Sequence, residues 1–240
     1  MSLPPHPVGP SSLDHLAPGD VRAMYRSPRA RAKLATAALV LDLAALTAVG
    51  LLLWDSLSIA RALAAGEEVS EASIDLLQQR ASQSDIISFL VLLGCALMFC
   101  LWTYRVARNA VALGGQLSVS PGSAVGYYFI PIINWWMPYT ALAQVWDASD
   151  PDPRAETRRG SHALLLGWWL AWLVSYGVDL TVLGRGAPET ADEWASQIAL
   201  GFLSIGADAI AAVLAIAVIW KLTRRQEERA AAMWPSARVA

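Results

Sequence analysis

Four stretches of the chain are almost uninterruptedly apolar, and a fifth is apolar but punctuated by prolines. The first runs from Leu34 to Trp54 with only Asp42 inside it, and the second from Ile86 to Tyr104. The third, Ala163 to Val182, contains Asp179; the fourth, Ile198 to Trp220, contains Asp208. At a rise of about 1.5 Å per residue, each is long enough as a helix to cross about 30 Å of hydrocarbon. The fifth stretch, 120–147, opens with Ser120-Pro121-Gly122 and is interrupted by Pro131, Asn134 and Pro138. The pattern predicts an all-α membrane protein: a four-transmembrane-helix bundle with a Pro-broken helical hairpin between spans two and three.

Composition supports lipid as the solvent. Hydrophobic residues make up 55% of the 240 and charged residues 16%, against about 25% charged in an ordinary soluble domain. Mean hydropathy is +0.41, and 11 residues are Trp. A net charge of −2 and only two cysteines exclude a nucleic-acid binder and a disulfide scaffold. Cys95 and Cys100 lie about 140° apart on one helix, so they form neither a disulfide nor a metal pair. Residues 1–20 are rich in Pro, Gly and Ser without apolar periodicity, and read as a disordered polar tail. The membrane domain covers 21–232, and 233–240 form a short C-terminal tail.

The basic residues orient the bundle. With four spans, five cations precede the first (Arg22, Arg26, Arg29, Arg31, Lys33), five lie between the second and third, and five follow the fourth. Only Arg61, Arg80 and Arg185 remain for the other face, so the 18 cations divide 15 to 3. Were the fifth stretch a full crossing, the split would be 8 to 10. The positive-inside rule therefore places both termini and the hairpin on the cytoplasmic side. Arg105, Arg108, Arg224 and Arg225 are expected at that inner face. Trp54, Trp102 and Trp220 fall at span ends, where indoles favour the interface. Ser70 is expected to start the second helix ahead of the membrane, and Thr190-Ala-Asp-Glu193 reads as a capping box for the last one.

Within the hairpin, Ser120 is an N-cap with Pro121 at the first helical position. Pro121 to Ile130 would make about 15 Å of helix before the break, and a second short helix can start near Pro138. Two such helices suit either an in-plane interfacial hairpin or a re-entrant loop. Gly122 and Gly126 form a GxxxG pair that permits close helix approach.

The run from Gln116 through Ser120, Pro121, Gly122, Gly126, Pro131, Asn134 and Pro138 to Tyr139 resembles the central motif of a bacterial membrane family, the domain of unknown function 4328 family. Its flanks are similar too: Leu101 to Asn109 before it, Trp146 to Pro151 after it, and Thr223 to Glu228 near the end. The likeness spans roughly residues 30–230, with Ser123 standing where the family favours an aromatic. It implies a multi-pass bacterial membrane protein and supplies no activity, cofactor or catalytic residue.

Three intramembrane carboxylates are the candidate chemistry. A charge at mid-bilayer costs about 3 kcal/mol unless neutralised or hydrated, and no Lys or Arg lies within any span. Asp42, Asp179 and Asp208 are therefore either protonated and hydrogen-bonded to a neighbouring helix, with Thr36, Thr47, Ser175, Tyr176 and Ser204 available, or part of a polar site. In the second case Asp42 and Asp208 share a proton or cation between the first and fourth spans. A protease reading fails because Gly206-Ala-Asp208 lacks a glycine directly before its aspartate. No histidine has a second ligand at metal spacing. The sequence thus points to a non-enzymatic scaffold or regulatory component of a bacterial cytoplasmic membrane, or alternatively to a small transporter or channel using Asp42 and Asp208. The expected partners are the lipid bilayer and either a membrane protein or a second copy of the chain; no nucleic acid, cofactor or metal is expected.

Overall fold

A computed structural model describes residues 22–151, 162–186, 188 and 190–235. The N-terminal tail, 1–20, lies outside the described residues, as does most of the C-terminal one. Four long helices dominate: α1 (Arg29–Ala64), α2 (Glu71–Ala112), α5 (Ala163–Leu183) and α6 (Ala191–Met233). Between α2 and α5 lie α3 (Pro121–Gly126), 3₁₀ turns at Tyr127–Phe129 and Ile133–Trp135, and α4 (Met137–Ala148). No strand occurs among the described residues.

Serine starts and glycine stops set these boundaries. Ser70 Oγ accepts the Ser73 backbone N–H, and Ser120 Oγ accepts that of Ser123 at 3.0 Å. Thr190 Oγ1 accepts the Glu193 N–H. Each side chain satisfies a donor that the first helical turn leaves orphaned. Helices α1 and α2 end with Gly66 and Gly114 at φ +76° and +83°. The N–H groups that follow reach back to Ala62 and Ala110. This reversal needs the left-handed conformation that glycine adopts without steric cost.

The chain divides into two compact units, to both of which α2 and α6 contribute. One comprises 30–102 and 162–221 and holds the four apolar stretches but for Thr103 and Tyr104. No residue in the most apolar stretch of α1 is buried, and only 17–28% are in those of α2, α5 and α6. Leu51, Ile86, Phe89, Leu90 and Val174 are each at least 58% exposed. Outward-facing leucine and phenylalanine on this scale suit an apolar solvent. Inside the unit, Trp168, Trp169, Trp172 and Tyr176 form a ladder along α5, with ring centroids 4.8–5.6 Å apart. Phe99 of α2 packs on Trp168 and Trp102. That packing corrects the expectation for Trp102: it is fully buried in an aromatic cluster, whereas Trp54 and Trp220 are exposed. Helices α1 and α6 approach closely at Gly201, where a Cβ would stand 2.7 Å from Leu53 Cδ1.

The other unit, among the described residues, comprises 22–29, 103–151 and 222–235, including the hairpin. The chain does break between Ile130 and Pro138. The first arm differs from expectation, because α-helix stops at Gly126 and tightens into 3₁₀ before Ile130. Helix α4 buries Pro138, Ala141, Leu142, Val145 and Trp146. The close approach falls elsewhere than the GxxxG pair. A Cβ on Gly126 would meet nothing within 4 Å, whereas one on Gly115 would lie 2.4 Å from Ala148 Cβ. The end of α2 thus rests against the end of α4 through a residue with no side chain.

Candidate functional site

Each unit holds one polar cluster. In the hairpin unit it centres on Gln226 of α6, which is fully buried. Its Nε2 donates to the Val106 carbonyl at 2.8 Å and to Ser149 Oγ at 3.1 Å. Its Oε1 accepts from Asn109 Nδ2 at 3.1 Å. Asn109, also fully buried, clamps the backbone of Arg26: Nδ2 donates to the Arg26 carbonyl and Oδ1 accepts its N–H. Ser149 Oγ in turn donates to Val145 O. Buried amides hold free energy this way only when their donors and acceptors are matched.

Immediately before Gln226 and one turn after it on α6, the network becomes ionic. Arg225 pairs with Asp150 at 2.9 Å and stacks 5.0 Å above the Trp146 ring. Arg229 donates to the carbonyls of Asp150 and Leu113. Burial holds Arg229 below its ordinary range, with Asp150 opposing. Arg225 therefore ties α6 to the hairpin's second helix instead of facing lipid, and Arg105 is only 8% exposed. Of the four expected inner-face cations, those two turn inward. Arg224 is the exposed one, paired with Glu228 along the helix, and Arg108 lies 6.0 Å from the Tyr104 ring.

The segment leading into α1 is strapped onto the same helix. Ser27 Oγ donates to Glu227, Arg29 pairs with Glu227 at 2.6 Å, and Tyr25 packs on Trp234. Burial pushes the Tyr25 hydroxyl up to about 12, Glu227 adding to the effect and Arg29 opposing it. A phenol raised in the folded state contributes stability that is complete below its ordinary value near 10 and is lost as pH rises through the folded value. Melting temperature is therefore expected to fall between pH 10 and 12. Tyr25→Phe should flatten that part of the profile.

In the span unit, α5 and α6 exchange hydroxyl–carboxylate bonds. Ser175 of α5 donates to Asp208 of α6, and Ser204 of α6 donates to Asp179 of α5. Both helices carry Ser-x-x-x-Asp, one turn apart, and run antiparallel, so each serine meets the other helix's aspartate. Asp42 of α1 lies within electrostatic range of Asp208, and also of Cys95 in α2. All three carboxylates are half-buried. Thr47 turns back on the Leu43 carbonyl of its own helix. No metal-holding group of three or more His, Cys, Asp or Glu occurs among the described residues.

The hairpin motif sits at the base and tip of α3 and α4. Ser120 caps α3, Pro121 opens it, and Ser118 meets Gln144 of α4 through both its N–H and its hydroxyl. Pro138 is buried in the first turn of α4, Tyr139 and Asn134 are half-buried, and Pro131 lies at the exposed turn. Gln226, Ser149, Asp150 and Arg229 carry the polar network, yet as isolated letters none signals a site. The available signal was their position: the first three lie in the flanks of the recognisable motif.

Fold and clusters together define the class, an all-helical chain with four helices long and apolar enough to cross a membrane. The family described as a domain of unknown function (DUF4328) matches residues 65–226, and the chain belongs to it. No curated protein and no solved structure matches. The matched region includes the hairpin, Asn109, Ser149, Asp150 and Gln226, and both Ser–Asp pairs.

Proposed function

We propose that the protein is a non-enzymatic scaffold or regulatory component of a bacterial cytoplasmic membrane, with both termini cytoplasmic and the hairpin lying in the plane of the inner face. One observation carries the reading. The buried amide and ion-pair network fixes the ends of α2, α4 and α6 and the strap before α1 into a single rigid support for the hairpin. Side chains committed to holding four segments together are not free to turn over a substrate. The Ser–Asp exchange fits the same view, because each carboxylate already has a donor on the facing helix.

A second reading, a small transporter or channel using Asp42 and Asp208, draws on the electrostatic proximity of those two carboxylates. Flux in liposomes separates the two. Reconstituted protein is expected to dissipate an imposed proton or sodium gradient no faster than empty vesicles, with Asp42→Asn and Asp208→Asn unchanged from the parent. Flux above that level, abolished by either substitution, would overturn the scaffold reading in favour of transport.

A further inference from the structure

The turn between α3 and α4 is the most apolar exposed patch of its unit. Phe129 is 68% exposed, Ile130 43%, Ile132 71%, Trp135 53% and Trp136 49%. From Asn109 to Trp146 the sequence has no charged side chain. A protein-docking surface normally carries a polar, often charged, rim around its apolar centre, and this segment supplies no charged residue for one.

Two backbone features point the same way. Ile132 sits at φ +70°, ψ −56°, closed by a bond from the Ile133 N–H to the Pro131 carbonyl at 2.8 Å. This is a γ-turn of the rare, strained hand, and it places a β-branched residue where glycine or asparagine is usual. Strain of that kind at an exposed position marks a candidate functional feature. The next three N–H groups donate within the turn: Asn134 to Ile130, Trp135 to Ile132 and Trp136 to Ile133. A loop in water has no need to pair successive donors internally; backbone at membrane depth does.

We propose that this tip is a shallow lipid wedge. Ile132 and Phe129 insert to the headgroup–acyl boundary of the cytoplasmic leaflet, with Trp135 and Trp136 at the interface. The proposal rests on the inner-face placement of the hairpin. Its arms stay out of the hydrocarbon: α4 buries its apolar face against protein, and Ser118 and Gln144 tie the base. Indoles favour the interfacial level. With no cation in the segment, insertion is driven by apolar burial alone and is insensitive to salt.

The test uses the full chain in phosphatidylethanolamine–phosphatidylglycerol nanodiscs. A bimane is attached at Ile132→Cys, Phe129→Cys or, as a control at the hairpin base, Ser118→Cys, all with Cys95 and Cys100 replaced by Ala. Nitroxides carried near the glycerol are expected to quench the two tip probes at least about threefold more than aqueous iodide does, at low and high salt alike. The Ser118 probe should show the reverse. Three results would overturn the wedge: dominant iodide quenching at the tip, dominant quenching by nitroxides near the acyl terminus, or protection from all quenchers, as a protein partner or second copy would produce. Two tip positions guard against misfolding of either variant. The flux assay is independent, so a failed scaffold reading and a failed wedge are separately visible.

Discussion

Replacing Gln226 by alanine is expected to destabilise the protein by about 3–5 kcal/mol, measured as thermal or denaturant unfolding of the detergent-solubilised chain. Two costs add. The side chain is fully buried, so truncation leaves a cavity, which at a well-packed site costs about 2–5 kcal/mol even for an apolar residue. The amide also makes three hydrogen bonds, and Asn109 would keep a buried Nδ2 hydrogen with nothing to replace Oε1. Gln226→Glu separates the contributions, since it preserves volume and the acceptor for Asn109. It replaces the Nε2 donor with an oxygen facing the Val106 carbonyl, and buries a charge unless the group stays protonated. Glutamate is therefore expected to be as damaging as alanine despite its near-identical shape. Arg224→Ala, two residues away, should leave the unfolding midpoint nearly unchanged, because its pair with Glu228 is exposed.

That contrast between neighbours explains what could and could not be read from the sequence. The four apolar stretches were legible because lipid imposes a length that few soluble segments meet. The hairpin break was legible because proline cannot continue a helix. Capping at Ser120 and Thr190 could be read from local chemistry alone. What failed depends on which way a side chain turns. Arg224, Arg225 and Gln226 are consecutive polar letters in a charged run, yet they are exposed, ion-paired to Asp150, and fully buried, respectively. Helical rotation of about 100° per residue decides this, and packing against α2, α4 and the segment before α1 fixes its phase. Trp102 departs for the same reason: an indole at a span end suits the interface, but Phe99, itself packed on Trp168, covers it. For the carboxylates, candidate partners could be named but not the pairing, since that requires the register of α5 against α6. The repeated Ser-x-x-x-Asp was the clue, because on antiparallel helices one such motif can satisfy the other.

The same register makes the second large effect calculable. Removing both hydroxyls, Ser175→Ala with Ser204→Ala, is expected to cost about 2–3 kcal/mol in detergent or nanodiscs, and each alone about 1 kcal/mol. Interhelical hydrogen bonds in membranes average well under 1 kcal/mol, because the separated helices find other partners; a carboxylate acceptor raises that value. Double-mutant cycles should locate the energy across the helix interface. Ser175 should couple to Asp208 and Ser204 to Asp179. Ser175 with Asp179 on the same helix should couple more weakly than either cross-helix pair, since neither is the other's hydrogen-bond partner. Asp208→Asn keeps the shape and can still accept from Ser175, so under the scaffold reading it should retain or slightly raise stability. Were the aspartates instead a cation site shared with Asp42, the parent would gain stability with sodium and Asp208→Asn would lose that gain. Coupling confined to the serine–aspartate pairs, with no ion dependence, identifies the carboxylates as a clasp between α5 and α6.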